Sequence, residues 1–159
     1  STLDYTPTAA VFNSTGLVYK LYGDHFVPGS IPVALSGNSP QPAPQYPVGG
    51  DQPETNSGSP TYPLDMLAAL TPDRRFLNIA VVNATESERS FDLNVAGVKL
   101  EGPPTLWHIT GKDLKAANQV GQPPQVTILT VKINGSAQKL SVAPISISIF
   151  QIPVASSAQ

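Results

Sequence analysis

Proline is the residue that most limits how this chain can fold. It occurs 17 times in 159 residues, roughly twice its average frequency. Each proline fixes its own φ angle and removes a backbone hydrogen-bond donor, so it is poorly tolerated inside helices and central strands. Charged residues make up 13% of the chain, half of the usual ~25%. This composition favours many turns and short strands, in one domain large enough to bury its own core.

The charge of the chain argues against nucleic acid and membranes as partners. The net charge is −2, and the nine basic residues are scattered, with only Arg74 and Arg75 adjacent. Nucleic acid and anionic membrane surfaces are bound by clustered basic residues, and no apolar run reaches the ~18–20 residues of a membrane span. Because the chain begins at Ser1 without a signal-peptide pattern, we expect a processed chain or an excised fragment.

The sequence predicts no metal or cofactor site. Cysteine is absent, which excludes disulfides, a thiolate nucleophile and cysteine-bound zinc. The spacings typical of histidine-bound zinc and of calcium loops are also absent. Three Asn-x-Ser/Thr sequons, at Asn13, Asn83 and Asn134, are relevant only in a host that glycosylates proteins.

The first part of the chain contains a helix candidate and a long loop. Between residues 8 and 26 the apolar side chains recur every three to four residues, which predicts a helix with Thr8 as its N-cap. Gly16 inside this helix costs roughly 1 kcal/mol relative to alanine. Residues 36–63 then hold seven prolines and four glycines. A loop of this length inside a compact domain is functional, packed against another surface, or mobile.

From residue 64 onward the chain alternates apolar and polar residues as half-buried strands do. The clearest example is the segment 91–95, in which Phe91, Leu93 and Val95 are the apolar positions. Roughly eight or nine short strands separated by turn signals predict a β-sandwich or barrel. We therefore expect a mainly β fold, a jelly-roll-like β-sandwich with one N-terminal helix and a long Pro/Gly loop. The predicted strands are 31–35, 64–70, 76–82, 91–95, 98–100, 106–109, 126–133, 140–142 and 145–149.

Three local signals predict how some of these strands are connected. The Asn134-Gly135 pair predicts a hairpin that joins the strands on either side of it. Gly97 predicts a second hairpin in the same way. The apolar positions change face between Ile149 and Phe150, which predicts a bulge or a strand end at that point.

No constellation for acid–base catalysis is evident. The two histidines, His25 and His108, are interpreted as structural or surface residues, and no nucleophile-elbow pattern is present. Glycoside hydrolysis needs two carboxyl groups that face each other, whereas most of the eleven carboxylates occupy turns or outward strand positions. Glu86 and Glu88, for example, are interpreted as part of a solvated loop. We do not expect this chain to be catalytic by itself.

Three aromatic residues are candidates for carbohydrate binding, because a flat ring can stack on the apolar face of a sugar. Tyr46 and Tyr62 lie in the Pro/Gly loop, and Trp107 is the single tryptophan. The competing interpretation is that both tyrosines pack the loop against the domain and that Trp107 belongs to the core.

Four stretches of the chain, taken in order, resemble the C-terminal region of family 51 glycoside hydrolases, the α-L-arabinofuranosidases. Together they span nearly the whole chain, although the long 36–63 loop departs from the simpler members. The stretches are TPTAAVF with VYKLYGDHF (6–12 and 18–26), YPLDMLAAL with LNIAVVN (62–70 and 77–83), LWHITGKDLKAAN with QPPQV (106–118 and 122–126), and LSVAP with ISISIF (140–150).

The resemblance implies an accessory domain and not the catalytic unit. The family carries its two catalytic glutamates on a (β/α)8 barrel, with the acid/base directly after an asparagine. This chain has no Asn-Glu dipeptide, and a barrel needs at least ~200 residues. The implied organisation is a helical connector from a missing catalytic barrel at 1–30 and a C-terminal β-sandwich at 31–159. In the family a short N-terminal stretch of the full polypeptide also joins the sandwich, so its absence would leave an open strand edge or require another chain.

Three functions remain open at this point. The first is a non-catalytic C-terminal β-sandwich that supports the barrel of an arabinofuranosidase-like glycoside hydrolase acting on plant cell-wall polysaccharide, in an extracellular or periplasmic location. The second is an independent carbohydrate-binding module that uses Tyr46, Tyr62 and Trp107 to bind a plant polysaccharide. The third is an adhesion-type sandwich unrelated to sugars, which rests on fold class alone.

Overall fold

A computed structural model describes residues 1–39, 59–113 and 115–155 of the chain. The predicted mainly β fold with a single helix is confirmed for these residues. No helix in these three ranges is long and apolar enough to cross a membrane. The elements in chain order are β1 (Leu3–Thr6), β2 (Ala9–Phe12), α1 (Ser14–His25), β3 (Ile31–Val33), β4 (Asp65–Leu70), β5 (Phe76–Asn83), β6 (Arg89–Asp92), β7 (Lys99–Leu100), β8 (Thr105–Thr110), β9 (Thr127–Lys132), β10 (Lys139–Val142) and β11 (Ser146–Ala155).

The strands form a sandwich of one large and one small antiparallel sheet. The large sheet has the order β3-β4-β5-β11-β8-β9, and β7 pairs with the end of β11. The small sheet consists of β6 and β10. A third pair, β1 with β2, forms a separate hairpin next to α1.

The centre of the large sheet is the pair of strands β5 and β11, which is buried on both faces. Leu77 and Ile79 of β5 and Phe150 of β11 belong to the core between the two sheets. The alternate residues Ala80 and Ile149 face the other way and pack with α1. The molecule therefore has three layers, with the large sheet between the small sheet and the helix. Full burial of a side chain such as Phe150 contributes about 1.5–3 kcal/mol relative to exposure.

The predicted bulge between Ile149 and Phe150 is wrong. β11 pairs with β5 in an unbroken register from Ser146 opposite Asn83 to Pro153 opposite Phe76. The apolar residues change face because the strand serves two cores, one on each side of the sheet. A strand that is covered on one side only keeps its apolar residues on that side.

Both predicted hairpins are also wrong. The strand before Asn134-Gly135 is β9, which pairs with β8, whereas the strand after it is β10, which pairs with β6. The strand after Gly97 is β7, which pairs with β11 and not with β6. Both glycines have positive φ angles, so each still lies in a turn. These turns carry the chain from one sheet to the other, because the apolar faces of β6 and β10 cover the core of the large sheet.

The predicted start of the helix is wrong as well. α1 begins at Ser14, and its N-cap is Asn13, whose Oδ1 accepts a hydrogen bond from the backbone N–H of Gly16 at 3.2 Å. Residues 9–12 form β2 instead, which pairs with β1 across a turn at Pro7. In so short a strand, the spacing of apolar residues does not distinguish a strand from a helical turn.

Gly16 permits the hairpin to lie directly on the helix. A Cβ atom at this position would overlap the backbone oxygen of Thr2 and lie 2.6 Å from Cδ1 of Phe12. Gly16 itself is buried in this contact. The cost of a glycine inside the helix is therefore offset by a close approach that no other residue allows.

The ends of the 36–63 loop lie next to each other. The backbone N–H of Gly37 donates to the carbonyl of Pro60 at 2.8 Å, and a Cβ atom on Gly37 would lie 3.0 Å from the same oxygen. The chain therefore leaves and re-enters the sandwich at one place. Residues 40–58, which include Tyr46, lie outside the described residues.

The two glycines of α1 provide a matched test of the hairpin contact. We expect Gly16→Ala to lower the free energy of unfolding by about 1–3 kcal/mol, because the added methyl group separates the hairpin from the helix. Gly23→Ala should instead raise it by up to ~1 kcal/mol, since a Cβ atom there meets nothing within 4 Å. Urea denaturation of the two variants measures both effects. Equal stabilisation by the two substitutions would contradict the close contact.

Candidate functional site

The structure does not bring the three predicted carbohydrate-binding residues together in a single binding surface among the residues that it describes. Tyr46 lies outside the described residues. Tyr62 is 39% exposed and precedes β4. Trp107 of β8 is half-buried, with its ring against that of His25 at a centroid distance of 4.3 Å. β4 and β8 are separated by three strand spacings in the sheet order, about 14 Å. The proposed role of these residues in sugar binding stays a prediction.

A different set of aromatic residues is exposed on the N-terminal hairpin and the helix. Leu3 pairs with Phe12 and Tyr5 pairs with Ala10, so all four lie on one face of the hairpin. Tyr5 is 75% exposed, and Tyr19 of α1 is 70% exposed. Tyr19 lies one helical turn beyond Gly16, the position that Phe12 contacts. We call the set Leu3, Tyr5, Ala10, Phe12 and Tyr19 the hairpin–helix surface.

This surface was not predicted from the sequence, because the spacing of apolar residues predicted a helix that includes residues 8–12. The signal was present in the alternation of Leu3 with Tyr5 and of Ala10 with Phe12 around the turn at Pro7. Taken together, the alternation before Pro7 and the alternation after it indicate a hairpin with one apolar face.

The opposite face of the hairpin is held by the segment between β8 and β9. The carboxylate of Asp4 accepts a hydrogen bond from the backbone N–H of Val120 at 2.7 Å. The hydroxyl of Ser14 donates to the carbonyl of Ala116 at 3.0 Å. The hairpin and the first turn of α1 are thus tied to the same segment.

Asn118 is the centre of this attachment. Its side chain is 5% exposed, and its Nδ2 donates to the carbonyls of Phe12 at 3.1 Å and Val126 at 2.6 Å. Its Oδ1 accepts from the backbone N–H groups of Gln125 at 2.8 Å and Val126 at 2.9 Å. A buried amide needs such partners, because leaving one unpaired costs about 1–3 kcal/mol. The position of the hairpin is thereby fixed relative to the start of β9.

The other end of the helix is held by two buried amides of the large sheet. Nδ2 of Asn78, which is 1% exposed, donates to the carbonyl of His25 at 2.6 Å. Nε2 of Gln151 donates to Oδ1 of Asn78 at 3.1 Å. The sheet thus satisfies a carbonyl at the C-terminus of α1 that has no partner within the helix. With both ends attached, α1 holds Tyr19 in a fixed position.

The titratable groups within the described ranges do not form an acid–base pair. All nine carboxylates there are exposed, so none has the buried environment of a glycosidase general acid. The hydroxyl of Thr71 and the backbone N–H of Arg75 lower the pKa of Asp73 by donating to its carboxylate. Burial lowers the pKa of His108 and, together with the charge of Asp65, raises the pKa of Tyr22. Among the same residues, no cluster of three possible metal ligands occurs.

A cavity of about 590 Å³ opens at one end of the sandwich. Its lining includes the aliphatic residues Leu93, Val95, Val98 and Leu100 as well as Gly135 and Ser136. None of its lining residues is aromatic, so it lacks a ring that could stack on a sugar.

The fold is similar to part of several solved glycoside hydrolases. A family 51 arabinofuranosidase from Xanthomonas axonopodis pv. citri matches 95% of this chain, with a TM-score of 0.67 and 18% identity. An arabinose-bound α-L-arabinofuranosidase of the same family matches 98% of it, with a TM-score of 0.66 and 18% identity. A further arabinofuranosidase matches 58% of it, with a TM-score of 0.51 and 26% identity. The matches cover 28%, 21% and 20% of the respective solved chains.

The comparison of sequences adds no family assignment. No protein-family model and no curated protein matches the chain. The chain spans less than a third of each of the three solved structures described above. It has a fold that is also found within family 51 arabinofuranosidases.

Truncation of Asn118 tests whether its side chain holds the hairpin in place. We expect Asn118→Ala to lower the free energy of unfolding by about 2–3 kcal/mol, because it leaves buried backbone groups unpaired. Amide hydrogen exchange should also become faster in β1 and β2, which lose their attachment. Asn94→Ala is the control, since Asn94 is exposed and its truncation should change stability by less than about 0.5 kcal/mol. Unchanged exchange in the hairpin of the Asn118 variant would contradict this role.

Proposed function

We propose that this chain is a non-catalytic β-sandwich domain of an arabinofuranosidase-like glycoside hydrolase, and that it supports the catalytic barrel of its parent protein. The observation that carries the proposal is the hairpin–helix surface, an exposed apolar face on a firmly attached support. In this proposal residues 1–30 are the connector between the barrel and the sandwich, and they contain a hairpin as well as a helix. The parent acts on arabinofuranosides or related cell-wall polysaccharides.

The composition of the hairpin–helix surface favours a protein partner. Tyrosine and phenylalanine are enriched in protein interfaces and often supply most of the binding energy. Leu3 and Phe12 are 38% and 45% exposed, next to the more exposed Tyr5 and Tyr19. Contiguous apolar residues on a soluble protein typically mark an interaction site.

The attachment of this surface also favours docking. The hydrogen bonds of Asn118 and Asn78 fix the hairpin and the helix before any partner binds. A surface that is already ordered loses less conformational entropy on association. Next to Tyr19, Lys20 and Asp24 form an exposed ion pair at 2.8 Å, which gives the surface a polar margin without net charge.

A second region is in keeping with a larger parent protein. β9 is an edge strand of the large sheet, and its residues Leu129 and Val131 are 48% and 45% exposed. Val131 lies opposite Leu106, on the face that carries the sandwich core. Within residues 1–39, 59–113 and 115–155 the small sheet has two strands, and neither of them covers this edge. An additional strand from the parent polypeptide, as the family resemblance implies, would cover it.

One observation favours an independent carbohydrate-binding module as the second candidate. Tyr5 and Tyr19 present exposed rings, and such rings can stack on sugars. In that case the hairpin–helix surface would bind polysaccharide instead of a barrel. No feature of the described residues favours the adhesion-type sandwich.

Titration calorimetry of the chain against a family 51-type catalytic barrel from the same source separates these functions. We expect the wild-type chain to bind the barrel, and the double variant Tyr5→Ser with Tyr19→Ser to bind at least ~10-fold more weakly, since truncating such anchors costs 1 kcal/mol or more. Tyr62→Ser is the matched control, because Tyr62 is an exposed tyrosine outside the hairpin–helix surface, and it should leave the affinity unchanged.

The same three proteins are then mixed with insoluble arabinoxylan. The proposal predicts no saturable binding by any of them. Saturable binding by the wild type that the double variant loses, together with no affinity for the barrel, would replace the support function by the carbohydrate-binding one. Equal affinity of the wild type and the double variant for the barrel would exclude the hairpin–helix surface as the docking site.

A further inference from the structure

We propose that Asn134 is an acceptor site for an N-linked oligosaccharide, and that it is the sequon the folded chain can present for this modification. The chain has three Asn-x-Ser/Thr sequons, and all lie within the described residues. They differ in the hydrogen bonds that the side-chain amide of the asparagine already makes in the folded chain. The exclusion of Asn13 rests in part on the proposed support function, whereas the exposure of Asn134 does not depend on it.

The amide of Asn83 is fully engaged inside the protein. The residue is 1% exposed, and its Nδ2 donates to the carbonyls of Ser87 at 2.9 Å and Ala143 at 2.8 Å. Its Oδ1 accepts from the backbone N–H and the hydroxyl of Thr85. A sugar on Nδ2 would replace one of its two hydrogens and so remove at least one of these donated bonds, at a side chain that is almost fully buried. The folded chain therefore cannot carry a glycan at Asn83.

The amide of Asn13 is used to form the N-terminus of α1. Its Oδ1 caps the helix through Gly16, and its Nδ2 donates to the backbone oxygen of Ser1. The residue directly follows Phe12, so a glycan would also cover the hairpin–helix surface.

Asn134 is the exposed sequon. It lies in the turn between β9 and β10, and Asn134, Gly135 and Ser136 are all exposed. Its side chain has no hydrogen-bond partner among residues 1–39, 59–113 and 115–155. The turn itself is anchored on both sides, because the backbone N–H of Ile133 donates to Pro104 at 3.0 Å and that of Gln138 to the Ser136 hydroxyl at 3.1 Å. An enzyme can therefore approach this amide without opening the fold.

The position of Asn134 keeps a glycan away from the hairpin. β9 begins at Thr127, next to the segment that holds the hairpin, and ends at Lys132, just before Asn134. Its six residues span about 20 Å. A glycan would lie next to the 590 Å³ cavity, whose lining includes Gly135 and Ser136.

The modification is a group transfer from a lipid-diphosphate-linked oligosaccharide, supplied by a host that glycosylates secreted proteins. Nδ2 of Asn134 forms a bond to the anomeric carbon of the first sugar. The bond between this carbon and the diphosphate oxygen breaks, and the lipid diphosphate leaves. The amide nitrogen loses one proton to the base of the transferase.

The test is secretion of the full chain from a glycosylating yeast host, with intact mass measured before and after peptide-N-glycosidase treatment. We expect a glycan-sized mass increase that the enzyme removes, and conversion of Asn134 to aspartate in the released peptide. Asn134→Gln and Ser136→Ala should each abolish the increase by different changes to the same sequon. Asn94→Gln, at an exposed asparagine outside any sequon, should retain it.

The proposal fails if the secreted wild-type chain has its unmodified mass, or if the mass increase persists in both sequon variants. It also fails if the glycan of the folded chain maps to Asn13 or Asn83. Circular dichroism of each variant identifies a loss of fold, and Ser136→Ala keeps the test valid if Asn134→Gln is not secreted.

Discussion

The pairing of β5 with β11 is the constraint on which the rest of the structure depends. These two strands share eight register positions, and they are buried on both faces. One face must be covered by the small sheet and the other by α1, because neither face can be left in water without losing its burial energy. The placement of the helix, and with it the hairpin, follows from this requirement. The hairpin–helix surface is thus a consequence of how the central strands are covered.

Hydrogen bonds from buried side-chain amides fix where the helix and the hairpin lie along the sheet. Apolar packing places α1 on the sheet, but it does not determine the helix position along the sheet. Asn78 fixes one end through the carbonyl of His25, and Asn118 fixes the hairpin at the other end through the carbonyl of Phe12. Each amide is buried and paired, and a shift of either element would leave a buried polar group unsatisfied. The sandwich thereby holds the exposed tyrosines on a stable support.

The sequence predicted what depends on local pattern. The mainly β class, the single helix and most strand positions followed from alternation, turn residues and proline. Pairing between distant segments did not follow, because Asn134-Gly135 reports a turn but not which sheet the next strand joins. The change of apolar face at Phe150 predicted a bulge for a related reason. A strand that is buried on both faces has the same sequence pattern as a strand that is buried on one face and interrupted by a bulge.

The candidate site was the least predictable part. Trp107 is a candidate by residue type and Tyr62 by its position in the Pro/Gly loop as well, whereas exposure depends on what covers each side chain in the fold. Tyr5 and Tyr19 are of the same residue type as Tyr62. Tyr5 is exposed because of the pairing of β1 with β2, and Tyr19 because of how α1 packs on the large sheet. The roles of Asn118 and Asn78 require contacts across 106 and 53 positions of the chain. No local pattern contains that information.

Amide hydrogen exchange of the chain, alone and mixed with the catalytic barrel or with arabinoxylan, tests the support function most directly. If the sandwich supports the barrel, the barrel slows exchange in β1, β2 and α1, and arabinoxylan leaves the whole pattern unchanged. Protection by arabinoxylan around Tyr62 or Trp107, with no protection of the hairpin by the barrel, would contradict the support function.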